Sequence, residues 1–403
     1  MIPKLNEFVP NHWLKPPTEQ EIDKLPTIDD VKKRLIQYEK DYSVTREEPI
    51  KLMYESSPQH LDKMGLSYSS SDKDKFILTK TMSGWSLKPN ISTSHFLFRG
   101  ENKVYSTCLP TLYRENNFNH LIENLKRAEL EILLESHPIF KLLKDGIELR
   151  SGIVVKLYNP YGLAQHYSFN TTLLDLTSDI DVASFFATCQ YNRETFSYTP
   201  YTKSKSCGVL YVYHMLKPFS ILTNEGLSTI GLHIFARPGL QKGFFWASNP
   251  EFSKTGSPRD LNECGLITKI YFKHENSISE RICADMEFGK KIFPEDELSI
   301  KCKDILNSNV FSEEAFERNL SDNPQDDREA NRKKIEKEGY GVSSLKQPLK
   351  FSDEEKNHML FKIHNGGWSK LCDSIVMPID KDGSLMEVLR NVPNDDRYKK
   401  YFS

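Results

Sequence analysis

The segment Gly208–His214, which reads GVLYVYH, constrains this chain more than any other. Its β-branched and aromatic content makes it a buried strand. Ile267–Phe272 (ITKIYF) reads the same way, and His95–Gly100 (HFLFRG) reads as a shorter buried strand ending in a glycine turn. A chain with such strands must cover them. Helical periodicity supplies the cover. Asn119–Ser136 carries an apolar face of Leu121, Ile122, Leu125, Leu130, Leu133 and Leu134. Ser178 to Asp181 has the S-x-x-D capping pattern and opens the apolar run Val182–Ala187. Asp29–Tyr42 places Val31, Leu35, Ile36 and Tyr38 at roughly helical spacing. Strands and helices interleave without an even βαβ rhythm. The fold class expected is therefore α+β, with a mixed or antiparallel sheet core and packed helices.

The 403 residues divide into three stretches. Residues 1–90 are a polar, irregular N-terminal extension that includes the run Ser69-Ser70-Ser71. Residues 91–306 hold most of the periodic signals and form the expected central domain. Residues 307–403 are a C-terminal extension that opens with a mixed-sign helical segment, expected to be solvated, and contains Gly366-Gly367-Trp368. Lys plus Arg total 54 against 56 for Asp plus Glu, a net charge of −2 that leaves no basic footprint for nucleic acid or an anionic membrane. No apolar run is long enough to span a bilayer, and the first residues lack a leader pattern. The expectation is a cytoplasmic protein that binds neither membrane nor nucleic acid, with the two extensions as surfaces for a protein partner. Seven dispersed cysteines form no CxxC pair, and the histidines form no HExxH, so no metal site is expected.

Three constellations carry polar groups into apolar settings. Arg99 sits between a strand and a glycine, where its planar donor fork suits a phosphate or carboxylate. The bland alternative is an internal ion pair, for which Asp175 is the partner in view. Gln165, His166, Asp175, Thr177 and Ser178 lie beside Leu173, Leu174 and Leu176. Such groups form either a site or an internal hydrogen-bond network. Taken singly, each is better read as structural, with Thr177 or Ser178 capping the following helix. Gln241, in RPGLQKGFFW, stands at a loop-to-strand entry, where a packed hairpin is the plainer reading.

In this order, Phe98-Arg99-Gly100, then GLAQHYSFNTTLLDLTSDIDVASFFA, then GVLYVY and RPGLQKGFF resemble the bacterial FRG-domain family, over roughly Ser94 to Leu306. That family continues its name motif with A-Q-H-Y-G-x-P-T-R-L-L-D-W-T. Here Ser168 stands for the glycine, Asn170 for the proline, Thr172 for the arginine and Leu176 for the tryptophan. The missing arginine removes a charge that some relatives carry.

The arrangement is also similar to the ADP-ribosyltransferase ground plan, and that resemblance implies NAD as substrate, with no other cofactor. Arg99, Gly100, Gln165, Thr177 and Ser178 would then hold the nucleotide, and Asp175, Gln241 and His166 would stand at the chemistry. Breaking the nicotinamide–ribose bond passes through an oxocarbenium-like state that needs negative charge beside the ribose. The glutamate that such transferases use is absent. Gln241 occupies the corresponding place, and Glu225 and Glu251 are the nearest acids in sequence. Asp175 is the candidate for a borrowed acid. Two functions therefore stand side by side. One is an NAD-using transferase or hydrolase, acting in toxin or anti-phage defence. The other is a non-catalytic nucleotide-sensing or partner-binding module.

Overall fold

The computed structural model describes residues 5–42, 76–81, 84–89, 96–114, 119–150, 153–155, 159–192, 197–203, 205–214, 227–230, 234–248, 257–373, 375–376 and 384–402. The Ser69–Ser71 run, Ser94, His95, Glu225 and Glu251 lie outside them. Along the chain, the elements that position the site are α1 (Ile28–Tyr42), β1 (Phe96–Glu101), α2 (His120–Glu135), α3 (Pro160–His166), β2 (Leu173–Thr177), α4 (Ile180–Thr188) and β3 (Cys207–His214). There follow β4 (Leu227–Thr229), α5 (Ala236–Leu240), β5 (Gly243–Ala247), β6 (Ile267–Lys273), α6 (Asn276–Asp285), α7 (Glu297–Asn307), α8 (Glu313–Asp322), α9 (Arg328–Lys337) and α10 (Asp353–Lys362).

Six strands make an antiparallel sheet in the order β4-β5-β2-β1-β3-β6. Within each half the ladder is continuous. β3 pairs with β6 from Cys207↔Lys273 to Tyr213↔Ile267, β1 with β3 from Phe96↔His214 to Glu101↔Val209, and β5 with β2 from Gly243↔Thr177 to Ala247↔Leu173. β1 and β2 meet only at Phe98↔Thr177. The two halves therefore splay apart on either side of one main-chain contact. A second, mixed sheet takes the strands Ile375–Val376, Phe76–Thr81, Gly84–Pro89, Ile153–Val155 and Ile147–Arg150, in that order. The molecule is α+β.

Helix α4 lies on β1 so closely that residue 100 can only be glycine. A Cβ there would fall 1.9 Å from the Ala183 carbonyl oxygen and 2.7 Å from the Ala187 nitrogen. On that face Phe96, Phe98, Leu210, Val212 and Phe272 pack with Val182 and Phe185 of α4 and with Val31, Leu35 and Tyr38 of α1. The other face packs Leu97, Tyr211, Tyr213 and Trp246 against Leu130, Leu133 and Leu134 of α2. This core runs on into the C-terminal stretch through Phe351, Met359, Trp368, Leu389 and Phe402. The charged segment expected to be solvated forms α8 and α9. Its surface carries ion pairs from Arg328 and Arg332 to Glu313, while Phe316 and Ile335 are buried with Ile122 and Leu125 of α2. Among the described residues no helix is long and apolar enough to cross a membrane.

Candidate functional site

A cleft of about 250 Å³ opens at the seam between β1 and β2. Six of the residues singled out in the sequence line it: Arg99, Gly100, His166, Asp175, Thr177 and Gln241. Gln165 stands behind Asp175, donating Nε2 to Asp175 Oδ2 at 3.1 Å, and its own Oε1 accepts from Thr171 Oγ1 at 2.5 Å. Ser178 is not part of the lining; its backbone N–H donates to the Lys242 carbonyl.

The acid beside Arg99 is Glu101. Arg99 donates Nε and Nη2 to Glu101 Oε1 at 3.0 and 2.7 Å, and Arg114 donates Nη2 to the same oxygen at 3.2 Å. Arg99 reaches Asp175 only at its backbone carbonyl, through Nη1 at 3.1 Å, so the expected side-chain pair between them does not form. The reason lies in the strand. Residues two apart project from the same face, which sets Glu101 beside Arg99 without crossing the seam. Burial disfavours the Arg99 charge, and Glu101, together with Cys108 and Asp175, more than offsets it, so the guanidinium pKa is raised. Arg99 is thus a strut across the seam. Arg114, about one-third exposed, is the more accessible cation.

His166 and Gln241 form a second unit. Gln241 Nε2 donates to the Ile292 carbonyl at 2.9 Å, which turns its Oε1 toward His166 Nδ1 at 2.6 Å. An amide oxygen can only accept, so Nδ1 carries the proton and Nε2 is left with a lone pair. Burial lowers the His166 pKa against the opposing pull of Asp175, which keeps the ring neutral. Gly243 makes room for it, since a Cβ there would fall 2.4 Å from Nε2. His166 Nε2 and Asp175 Oδ1 are both buried and have no hydrogen-bond partner. Two orphaned acceptors in one cleft wall call for donors from outside the chain.

Thr177 is committed internally. Its hydroxyl donates to the Gln241 carbonyl at 2.7 Å and accepts from the Asp179 N–H at 3.0 Å. The cap of α4 is neither Thr177 nor Ser178. Asp179 takes that place, with its side chain accepting from the Asp181 N–H. A carboxylate one residue from the helix start reaches the free amides directly, as N-cap geometry requires. The expected loop before β5 contains α5, because Pro238 falls in its first turn, where no intrahelical bond is lost.

Sequence reading missed Glu101, Arg114 and the aromatic wall of Phe98, Phe186, Tyr191 and Tyr198. Glu101 was within reach of a period-2 reading of β1. Tyr191 and Tyr198 pair across the hairpin Cys189–Asn192 and Ser197–Pro200, with ring centroids 5.0 Å apart, and Tyr198 stacks on Phe293 at 5.3 Å. Only the register of that hairpin brings them to the cleft. Arg237 is also buried. It lies over the Tyr167 ring at 4.7 Å and donates to the Pro294 carbonyl, tying α5 to the segment that supplies Ile292. Among the described residues no three His, Cys, Asp or Glu side chains are placed to hold a metal.

Fold and cleft together define a class: an α+β domain whose split antiparallel sheet carries at its seam a cleft of charged and amide groups set against an aromatic wall. The chain carries an FRG domain, whose family model matches residues 94–195. That span takes in Arg99, Gly100, Gln165, His166, Asp175, Thr177 and Ser178, and ends before β3 and Gln241. Neither the curated proteins nor the solved structures contain a match to this chain.

Proposed function

We propose that the seam cleft binds NAD or a related ADP-ribose-bearing nucleotide, and that Asp175 and His166 act at its nicotinamide–ribose bond. The observation that carries this reading is the pair of buried, unpartnered acceptors, Asp175 Oδ1 and His166 Nε2, in one cleft wall. A ribose hydroxyl offers a donor to Asp175, and the attacking water or acceptor hydroxyl offers one to His166. As the bond breaks, nicotinamide leaves with the bonding electrons, and positive charge gathers on the ribose. Asp175, oriented by Gln165, supplies negative charge to that centre from a site shielded from water. The bare Nε2 of His166 accepts the proton of the attacking water or acceptor hydroxyl. Arg114 is the cation available to a diphosphate, and the Tyr191–Tyr198 wall offers a stacking surface to a base.

A second reading rests on Gln241 and Arg99. The amide at the transferase glutamate's position is bound at both ends, and the Arg99 fork is occupied by Glu101. A cleft of that kind can hold a nucleotide without turning it over. Incubating the full chain with NAD separates the two. The enzyme reading expects free nicotinamide, with release falling at least ~100-fold in Asp175→Asn and His166→Gln variants that keep the wild-type melting curve. Thermal stabilisation by NAD without nicotinamide selects the sensor. Neither stabilisation nor turnover rejects both.

A further inference from the structure

Away from the seam, the N-terminal end of α2 and the helices α8 and α9 border an open polar basin of about 730 Å³. Asparagines dominate its lining: Asn119, Asn124, Asn319, Asn323 and Asn331. Their amide orientations follow from their bonds. The oxygens of Asn119 and Asn124 accept from the Leu121 N–H and from Arg127, which leaves both NH2 groups as donors. Asn331 and Asn323 donate their NH2 groups to Asp326 and to the Asn319 carbonyl, which leaves two amide oxygens as acceptors. Asn319 is only 3% exposed, and its Nδ2 is buried with no partner at all. Buried amide nitrogens in folded chains almost always find an acceptor, so an orphaned one in a basin wall marks a site for an acceptor brought from outside.

The chemistry of that ligand follows from the balance of the lining. The lining holds Lys334 against the two carboxylates Asp326 and Glu338, so the basin has no excess positive charge to draw an anion. Donors and acceptors are both plentiful, and Leu121 is the one aliphatic side chain present. We infer that this basin binds a small neutral polyhydroxyl ligand, a sugar or cyclic polyol, whose oxygens accept from the Asn119, Asn124 and Asn319 amides and whose hydroxyls donate to Asp326 and Glu338. The site is separate from the NAD reading and stands or falls without it.

Saturation-transfer NMR on the full chain tests this, with glucose, trehalose and myo-inositol as polyol probes and inorganic phosphate and acetate as anion competitors. At least one polyol should receive saturation from the protein and resist displacement by the anions. Its affinity should fall about tenfold in Asn319→Ala, where the orphaned donor is gone. Glu338 is exposed, so Glu338→Ala keeps the fold and should also weaken binding several-fold. Transfer to none of the three polyols overturns the inference. So does displacement by phosphate or acetate, or binding unchanged in both variants. A rise in stability for Asn319→Leu without any polyol signal would identify a solvent-filled void instead.

Discussion

Replacing Gly100 by alanine tests the contact on which the seam depends. The added Cβ would sit 1.9 Å from the Ala183 carbonyl oxygen, 2.7 Å from the Ala187 nitrogen and 2.8 Å from the Ala187 Cβ. A carbon–oxygen contact needs ~3.3 Å, so α4 must retreat by more than 1 Å. Two of the three obstructing atoms are backbone, and no rotamer change relieves them. Overpacking of this kind costs about 1–3 kcal/mol or more, while loss of the glycine's unfolded-state freedom returns ~0.5–1 kcal/mol. A net loss of about 2 kcal/mol should lower the melting temperature of a chain of this size by roughly 2–3 °C. Differential scanning calorimetry of Gly100→Ala against Gly265→Ala gives the comparison, because a Cβ at Gly265 meets nothing within 4 Å. Equal melting temperatures in the two variants would refute the packing of α4 on β1 described above. Val182, Ala183 and Phe186 of α4 also line the cleft, so the nucleotide binding proposed for it should weaken in the same variant.

Other perturbations separate the remaining contributions. Glu101→Ala leaves the Arg99 and Arg114 charges unpaired and should destabilise by roughly 3–5 kcal/mol in urea unfolding, whereas Glu101→Gln keeps an acceptor and costs less. Ser168 stands at φ 72°, where this chain has serine and the FRG motif glycine, so Ser168→Gly should raise stability by about 0.5–1 kcal/mol. Burial lowers the pKa values of His137 and His274 to about 3 and about 4. The unfolded chain therefore binds their protons first. Stability is full above the ordinary histidine pKa of ~6.5 and falls as pH drops below it, by about 2 kcal/mol per histidine at pH 5. His137→Phe should flatten that slope in thermal scans between pH 7 and 5. An unchanged slope would show that His137 is not held neutral.

Periodicity made the regular elements legible. β1, β3, β6, α1, α2 and α4 fall within a residue or two of the expected strands and helices, because each carries its own apolar pattern. The α+β class followed from their irregular order. Pairing across the sheet was less accessible. Asp175 looked like the partner of Arg99 because both are polar groups in apolar surroundings, yet the strand's own geometry had already placed Glu101 there. The unit of His166, Gln241 and Ile292 joins residues more than 50 positions apart, and no local pattern encodes its bonds. The C-terminal stretch shows the same difficulty. Phe316 and Ile335 are isolated among charges in the sequence, and only the fold gathers them against α2, as it gathers Trp368 and Phe402 into the central core.

The single Phe98↔Thr177 contact gives the central sheet an uncommon mechanical character. Each three-strand half is a stiff plate, stitched along its length by main-chain bonds, whereas the join between the plates hangs on one stitch and the Arg99–Asp175 strut. Deformation concentrates where a structure is least braced. A molecule entering the cleft would therefore wedge the plates apart like the leaves of a hinge, with the strain carried by Arg99 and felt at once by Glu101 and Arg114. The amides of β1 and β2 flanking that stitch should exchange with deuterium faster than those of β3, and occupancy of the cleft should change their rates first.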